Sequence, residues 1–293
     1  MHFLAVLLSL IAATCQAGVA ALDSDGRRVS LASPAERIVS LAPHVTEQLF
    51  AAGAGAKLVA VSEYSDYPAE AKRLPSVANS GAVNLEMVLA LKADLVVAWR
   101  LAAIMPSLAR LESLGVPVFY SEPRRLSQIA DMIEALGELA GTGAAARPLA
   151  ASLRRQLSRL DVAYRSRRPV SVFYQSSERP LMTLGGQHFV SDAIALCGGR
   201  NVFSDTVLMA PIVDVESVLA ADPEAIVTAR ADAADTAWQA FWRKFPGLRA
   251  VQAGSLYTVP MNEMHRHGPR AVGATSLLCR HIDDARLKAA TRR

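Results

Sequence analysis

The stretch NLEMVLALKADLVVA (Asn84–Ala98) returns later in the chain as DVESVLAADPEAIVT (Asp214–Thr228). Each copy opens on a good helix cap, places a Glu two positions on, runs through VLA and meets an acid before an apolar, β-branched run. A short helix followed by a buried strand satisfies both. Asn84 and Asp214 can accept from free N–H groups of the first turn, and Glu86 and Glu216 stand where a carboxylate meets the positive end of the helix dipole. One helix-strand unit used twice predicts two lobes of one architecture.

The flanks extend the pattern. On the first side lie the runs RIVSL, LVAVS, DLVVAW and VPVFY, separated by the helical stretches HVTEQLFAAG, IMPSLARLESLG and LSQIADMIEALGELAG. The second side offers PVSVFYQ, the helix VSDAIALCGG, the aromatic helix AWQAFWRKF, SLYTV and a last helix from about Pro269. Strands without polar alternation, interleaved with helices, predict parallel sheets covered on both faces. The fold class is therefore α/β, with two Rossmann-like lobes. The glycines at Gly53 and Gly55 close a helix and lead into a strand, the reverse of a dinucleotide-binding turn. Ahead of all this, VAALDSDGRRVSL reads as a polar start with a turn at Asp25-Gly26.

Between the halves, Leu149, Leu153, Leu157, Leu160 and Tyr164 recur every three or four residues, which predicts one long amphipathic helix rather than a flexible linker. The expected organisation is a signal segment over 1–17, an N-terminal lobe over 18–143, a connecting helix over 144–168 and a C-terminal lobe over 169–293. Lobes tied by a stiff helix should open and close little.

The 293 residues carry a net charge of +4, but the basic residues are scattered and interleave with no aromatic run, which argues against a nucleic-acid partner. Phe3 to Ala13 is too short an apolar run to span a bilayer and is followed by small residues, so export with cleavage after Ala17 is expected. A lipoprotein reading of Cys15 meets Ala12 where a large aliphatic residue belongs. Export leaves Cys197 and Cys279, which read as a disulfide in an oxidising compartment, with two buried free thiols as the alternative. No G-x-S-x-G, P-loop, H-E-x-x-H or clustered Cys/His set points to an enzyme. Asp283-Asp284 reads as solvated surface.

RIVSLAPHVTE, SEYSDYP, NLEMVLALKADLVVAWR, CGGRNVF and DVESVL together resemble the periplasmic cobalamin-binding proteins, members of the helical-backbone metal-receptor class of ABC-importer binding proteins. The resemblance covers nearly the whole mature chain. It implies a periplasmic, monomeric receptor with no cofactor of its own, which holds a corrinoid such as cobalamin between two lobes and passes it to a twofold membrane permease. It also implies that Glu86 and Glu216 meet arginines of the two permease subunits, that Cys197 pairs with Cys279, and that Tyr64, Trp99 and Arg266 line the corrinoid cleft. Four positions depart from the family: Ser80, Met182 and Ala210 replace aromatic residues, and Asn262 replaces an acid beside the arginine.

In MNEMHRHG, His265 and His267 flank Arg266, and an imidazole there could coordinate cobalt or haem iron from one face. Solvated or backbone-bonded histidines are the plain alternative, and His188 stands in the same position. The rival cargoes are haem, calling on His265 or His267, and a ferric siderophore, calling on Arg100, Arg179 and Arg266.

Overall fold

A computed structural model describes residues 18–232 and 234–291. The expected signal segment 1–17, with Cys15 and Ala17, lies outside the described residues. The polar start is an antiparallel hairpin, β1 (Val19–Leu22) and β2 (Arg28–Leu31), with Gly26 in its turn at φ +76°. That left-handed backbone suits a residue without a Cβ.

The first lobe alternates β3 (Ile38–Ser40), α1 (Pro43–Ala51), β4 (Leu58–Ser62), β5 (Ser76–Ala78), α2 (Leu85–Ala90), β6 (Leu95–Ala98), α3 (Met105–Ser113), β7 (Val118–Tyr120) and α4 (Leu126–Leu139). Its five strands are parallel in the order β5-β4-β3-β6-β7. Helix α5 (Gly143–Tyr164) follows, shorter at its far end than the expected 144–168.

The second lobe holds β8 (Val170–Gln175), the small antiparallel pair β9 (Ser177–Glu178) and β10 (Leu181–Met182), α6 (Phe189–Leu196) and β11 (Gly199–Asn201). After these come α7 (Val215–Ala221), β12 (Ala225–Arg230), α8 (Ala237–Trp242), α9 (Arg249–Gln252), β13 (Leu256–Pro260), α10 (Met261–Met264) and α11 (Arg270–Ala290). Its four-stranded sheet is parallel, in the order β11-β8-β12-β13.

The duplicated stretches are α2-β6 and α7-β12. Asn84 Oδ1 accepts the Met87 N–H at 3.0 Å and Asp214 Oδ1 accepts that of Ser217 at 2.6 Å. Val88 and Val218, the first residue of each VLA, are fully buried, and both strands are buried on both faces. Successive strands are added to one side of β3 and then to the other, so the strand order switches between β3 and β6 in one sheet and between β8 and β12 in the other, all strands staying parallel. In open α/β sheets ligands bind outside the carboxyl ends of strands at such points.

One apolar cluster runs from β3 and α4 through α5 into β8, α6 and α11, so the lobes share a core. Helix α5 turns Ala146, Ala150, Leu153 and Leu157 inward, while Arg154 donates to Asp131 and Glu134 of α4, both at 2.6 Å. The brace is thus packed against both lobes. Cys197 and Cys279 form a disulfide that ties the end of α6 to α11. Asp283 and Asp284 lie at the surface, Asp284 with its side chain about half exposed, but both are ion-paired there. Asp283 accepts from Arg167 at 2.6 Å and pairs with Arg286, while Asp284 accepts from Tyr257 Oη and Lys288, both at 2.7 Å. These two acids anchor α11 to the lobe rather than facing water alone.

Candidate functional site

The loops leaving the carboxyl ends of the two sheets meet at a seam between the lobes. From the first lobe, β3 leads through Ala42 into α1, β4 into the turn carrying Tyr64, and β6 into Trp99. The Tyr64 turn is held from below by buried hydroxyls. Thr46 Oγ1 lies 2.8 Å from Ser40 Oγ and donates to Ser65 Oγ at 2.9 Å, and Ser62 Oγ lies 3.2 Å from Ser65 Oγ. This support keeps Tyr64 at φ 61° with its residue surface 77 % exposed. A left-handed tyrosine costs about 1–2 kcal/mol, and such strain collects where a side chain must be presented.

From the second lobe, the segment after α10 brings Arg266 across. Arg266 donates to Glu47 at 3.1 Å, to Asp66 at 2.6 Å and to the Tyr64 carbonyl at 3.2 Å. Arg270 adds a two-pronged contact to Glu47 at 2.9 and 2.6 Å and lies 3.9 Å over the Tyr67 ring. Glu47, on α1, has a side chain only 1 % exposed. Nearby, Gln48 Nε2 donates to the His267 carbonyl at 2.6 Å while its Oε1 accepts from Ser121 Oγ at 2.6 Å. One buried carboxylate and one buried amide of α1 therefore hold the second lobe. The Arg266 guanidinium keeps the Asp66 carboxyl below its usual range.

Beside this ionic knot lies an aromatic and imidazole cluster. The His267 ring is 5.2 Å from His44, 5.5 Å from His188, 5.9 Å from Trp99 and 4.5 Å from Phe189, centre to centre. His44 Nε2 lies 3.0 Å from the Ser121 carbonyl, His188 Nδ1 accepts the Val190 N–H at 3.2 Å, and His265 Nε2 is 3.1 Å from Tyr174 Oη. His265 and His267 are thus packed into the seam rather than solvated. Burial pulls His44, His188 and His265 down to about 4, and His267 is lowered as well, by burial and then by its histidine neighbours. Arg266 depresses His44 further, and no carboxylate is among the groups acting on the four rings.

With folded values below the ordinary 6.5, the unfolded chain binds more protons, so stability rises with pH and is lost as pH falls from 6.5 towards 4. A shift from 6.5 to about 4 corresponds to about 3 kcal/mol for His44. Thermal melts between pH 7 and 4.5 should show a falling Tm, with a shallower slope for His44→Phe. An unchanged slope in that variant would clear the buried imidazoles of the effect.

The remaining candidates spread along the rims. Met182 is half-buried on β10 and bridges to Ile212, so it shares the rim of the second lobe with Ala210 and with the exposed Val207, Leu208 and Ile212. Ser80 is exposed in a turn closed by Asn79, and Asn262 is exposed on α10. Arg100 pairs with Asp25 and lies over the Tyr120 ring. Arg179 lies with Gln175, Arg230 and Met261 around a cavity of about 300 Å³ at the ends of β8 and β12. Glu86 and Glu216 are exposed, each in the first turn of its capped helix, one on each lobe. Among the described residues no group of three or more His, Cys, Asp or Glu is arranged to hold a metal ion. Glu47, Gln48, His44 and Arg270 were not singled out from the sequence, although His44 and Glu47 lie within RIVSLAPHVTE.

Residues 38–262 match the periplasmic binding protein family. The chain is 40% identical over 253 residues to the vitamin B12-binding protein of Vibrio cholerae, a match covering 85% of this chain and 90% of that protein. The crystal structure of the periplasmic vitamin B12 binding protein BtuF of Vibrio cholerae aligns with a TM-score of 0.78 at 41% identity, covering 86% of this chain and 98% of that one. A periplasmic heme binding protein from Pseudomonas aeruginosa aligns with a TM-score of 0.69 at 26% identity, over 85% and 92% of the two chains. With the family match spanning both lobes and the seam, the chain belongs to the periplasmic binding protein family.

Proposed function

We propose that this chain is the periplasmic receptor of an ABC importer, that it captures a corrinoid at the seam between its lobes, and that it delivers the ligand to a twofold membrane permease. The observation that carries the reading is the 40% identity to a vitamin B12-binding protein across both lobes. The geometry agrees with it. Tyr64 offers an exposed ring at the seam and Trp99 a half-buried one, while Arg266 fixes the Tyr64 turn through its bond to the Tyr64 carbonyl. Flat apolar rings suit a broad macrocycle because they bury much area at small entropic cost. Where Ser80, Met182 and Ala210 stand in place of aromatics, the lost stacking is roughly 150–250 Å² per ring. The exposed Val207, Leu208 and Ile212 beside Met182 supply aliphatic surface in compensation. Asn262 leaves the arginine side of the site less acidic. The chain returns its ligand chemically unchanged and acts as a monomer until it docks.

Isothermal titration of the mature chain with cyanocobalamin, cobinamide, haemin and a ferric hydroxamate tests the reading. Sub-micromolar binding confined to the corrinoids is expected, with Trp99→Ala weakening it roughly tenfold, in line with about 1–3 kcal/mol for a buried ring. Binding of haemin alone would replace the corrinoid with the second reading, haem. That reading is favoured by one observation, the four imidazoles of His44, His188, His265 and His267 gathered at the seam. A siderophore is disfavoured, since Arg100 is committed to Asp25 and Arg266 to Glu47 and Asp66.

A further inference from the structure

A cavity of about 540 Å³ opens between the lobes, with neither Tyr64 nor Trp99 in its wall, lined by Arg124 and Arg125 of the first lobe and by Gln187, Asp192, Arg200 and Ser204 of the second. Its charge is one-sided. Among the described residues Arg125 and Arg200 have no ion-pair partner, and Arg124 reaches only Glu122, at 3.9 Å. The single lining carboxylate, Asp192, is engaged, because its Oδ2 accepts the Leu126 N–H at 2.9 Å from the first turn of α4. Three guanidinium groups thus face one carboxylate that already serves a helix end. The start of α6 also borders this cavity, which adds a positive dipole end, that of α4 being met by Asp192. Its second-lobe wall is close-packed: a Cβ on Gly186 would stand 2.1 Å from the Ser204 carbonyl oxygen.

We infer that this cavity is a binding site for a phosphate group. Guanidinium forks match a tetrahedral, multi-oxygen anion better than a simple halide, and the volume accepts a phosphate ester or diphosphate as readily as the free ion. The site lies on both lobes, so an occupant would join Arg124 and Arg125 to Arg200 across the seam. Two sources share this chemistry: free phosphate-type anions, and the phosphodiester that cobalamin carries and cobinamide lacks. Only the second source rests on the corrinoid reading.

The test is calorimetric titration of the full mature chain with inorganic phosphate and pyrophosphate, repeated on Arg125→Gln and Arg200→Gln, two exposed positions whose change should not disturb folding. A free-anion site gives saturable binding weakened roughly tenfold or more in each variant, as expected for loss of a charge-assisted hydrogen bond. A ligand-borne site gives no such binding but lowers the cobalamin-to-cobinamide affinity ratio by a similar factor in the variants. The inference is overturned if neither effect appears, or if phosphate binds equally to wild type and both variants and vanishes with salt. A chain that binds no corrinoid at all would count against the proposed function and leave the phosphate and pyrophosphate titrations to decide this site.

Discussion

A chain carrying both Glu86→Lys and Glu216→Lys should bind its ligand within about twofold of wild type and support no uptake. Both side chains are exposed in the first turns of α2 and α7, and the caps Asn84 and Asp214 remain in place. A lysine at the positive end of a helix costs about 0.3–1 kcal/mol, too little to unfold either lobe. On the proposed docking of these acids on permease arginines, transfer should turn from attraction into repulsion at both contacts. Each single reversal should retain partial uptake, since one contact of the pair survives. Uptake measured in cells or proteoliposomes, beside affinity measured on the purified chain, separates the two effects. Unimpaired uptake by the double variant would remove the docking role from these acids.

The second large effect belongs to Glu47. Replacing it with Gln should lower stability by about 3 kcal/mol, because the change leaves Arg266 and Arg270 without the carboxylate that both grip while the site stays buried. For a chain of this size that is roughly 6–12 °C in Tm. The loss should not be confined to melting. Arg266 would be released from one of its two acids, so the seam should exchange its amide protons faster around Tyr64 and His267 than the sheets do. A Glu47→Gln chain that melts like wild type would mean that the knot is ornamental and that the shared core through α5 alone fixes the lobes.

The two helix-strand units were legible because capping and strand burial are local: Asn84 and Asp214 reach only three residues ahead. The amphipathic stripe of α5 was legible for the same reason, although its end was overrun, since 165–168 continue the basic composition without further inward-facing residues. By contrast β5, β11 and the β9-β10 pair are two or three residues long and owe their conformation to neighbouring strands, not to a pattern of their own. The seam divides in the same way. His265, Arg266 and His267 drew notice as adjacent residues, and Tyr64 and Trp99 through resemblance to a family. Glu47 and Gln48 gain meaning only against Arg270 and His267, which lie 223 and 219 positions further along the chain. Asp283 and Asp284 lie at the surface as expected, but their partners Arg167 and Tyr257 come from distant segments and carry no local signal.

Hydrogen exchange on the purified chain, with and without cyanocobalamin, measures most directly whether the ligand lies between the lobes. Protection should appear on both sides of the seam, at 62–67 and 99–101 in the first lobe and at 261–267 in the second, with the helix α5 unchanged. Protection confined to one lobe, or absent from all three segments while the vitamin is bound, would contradict capture at the seam.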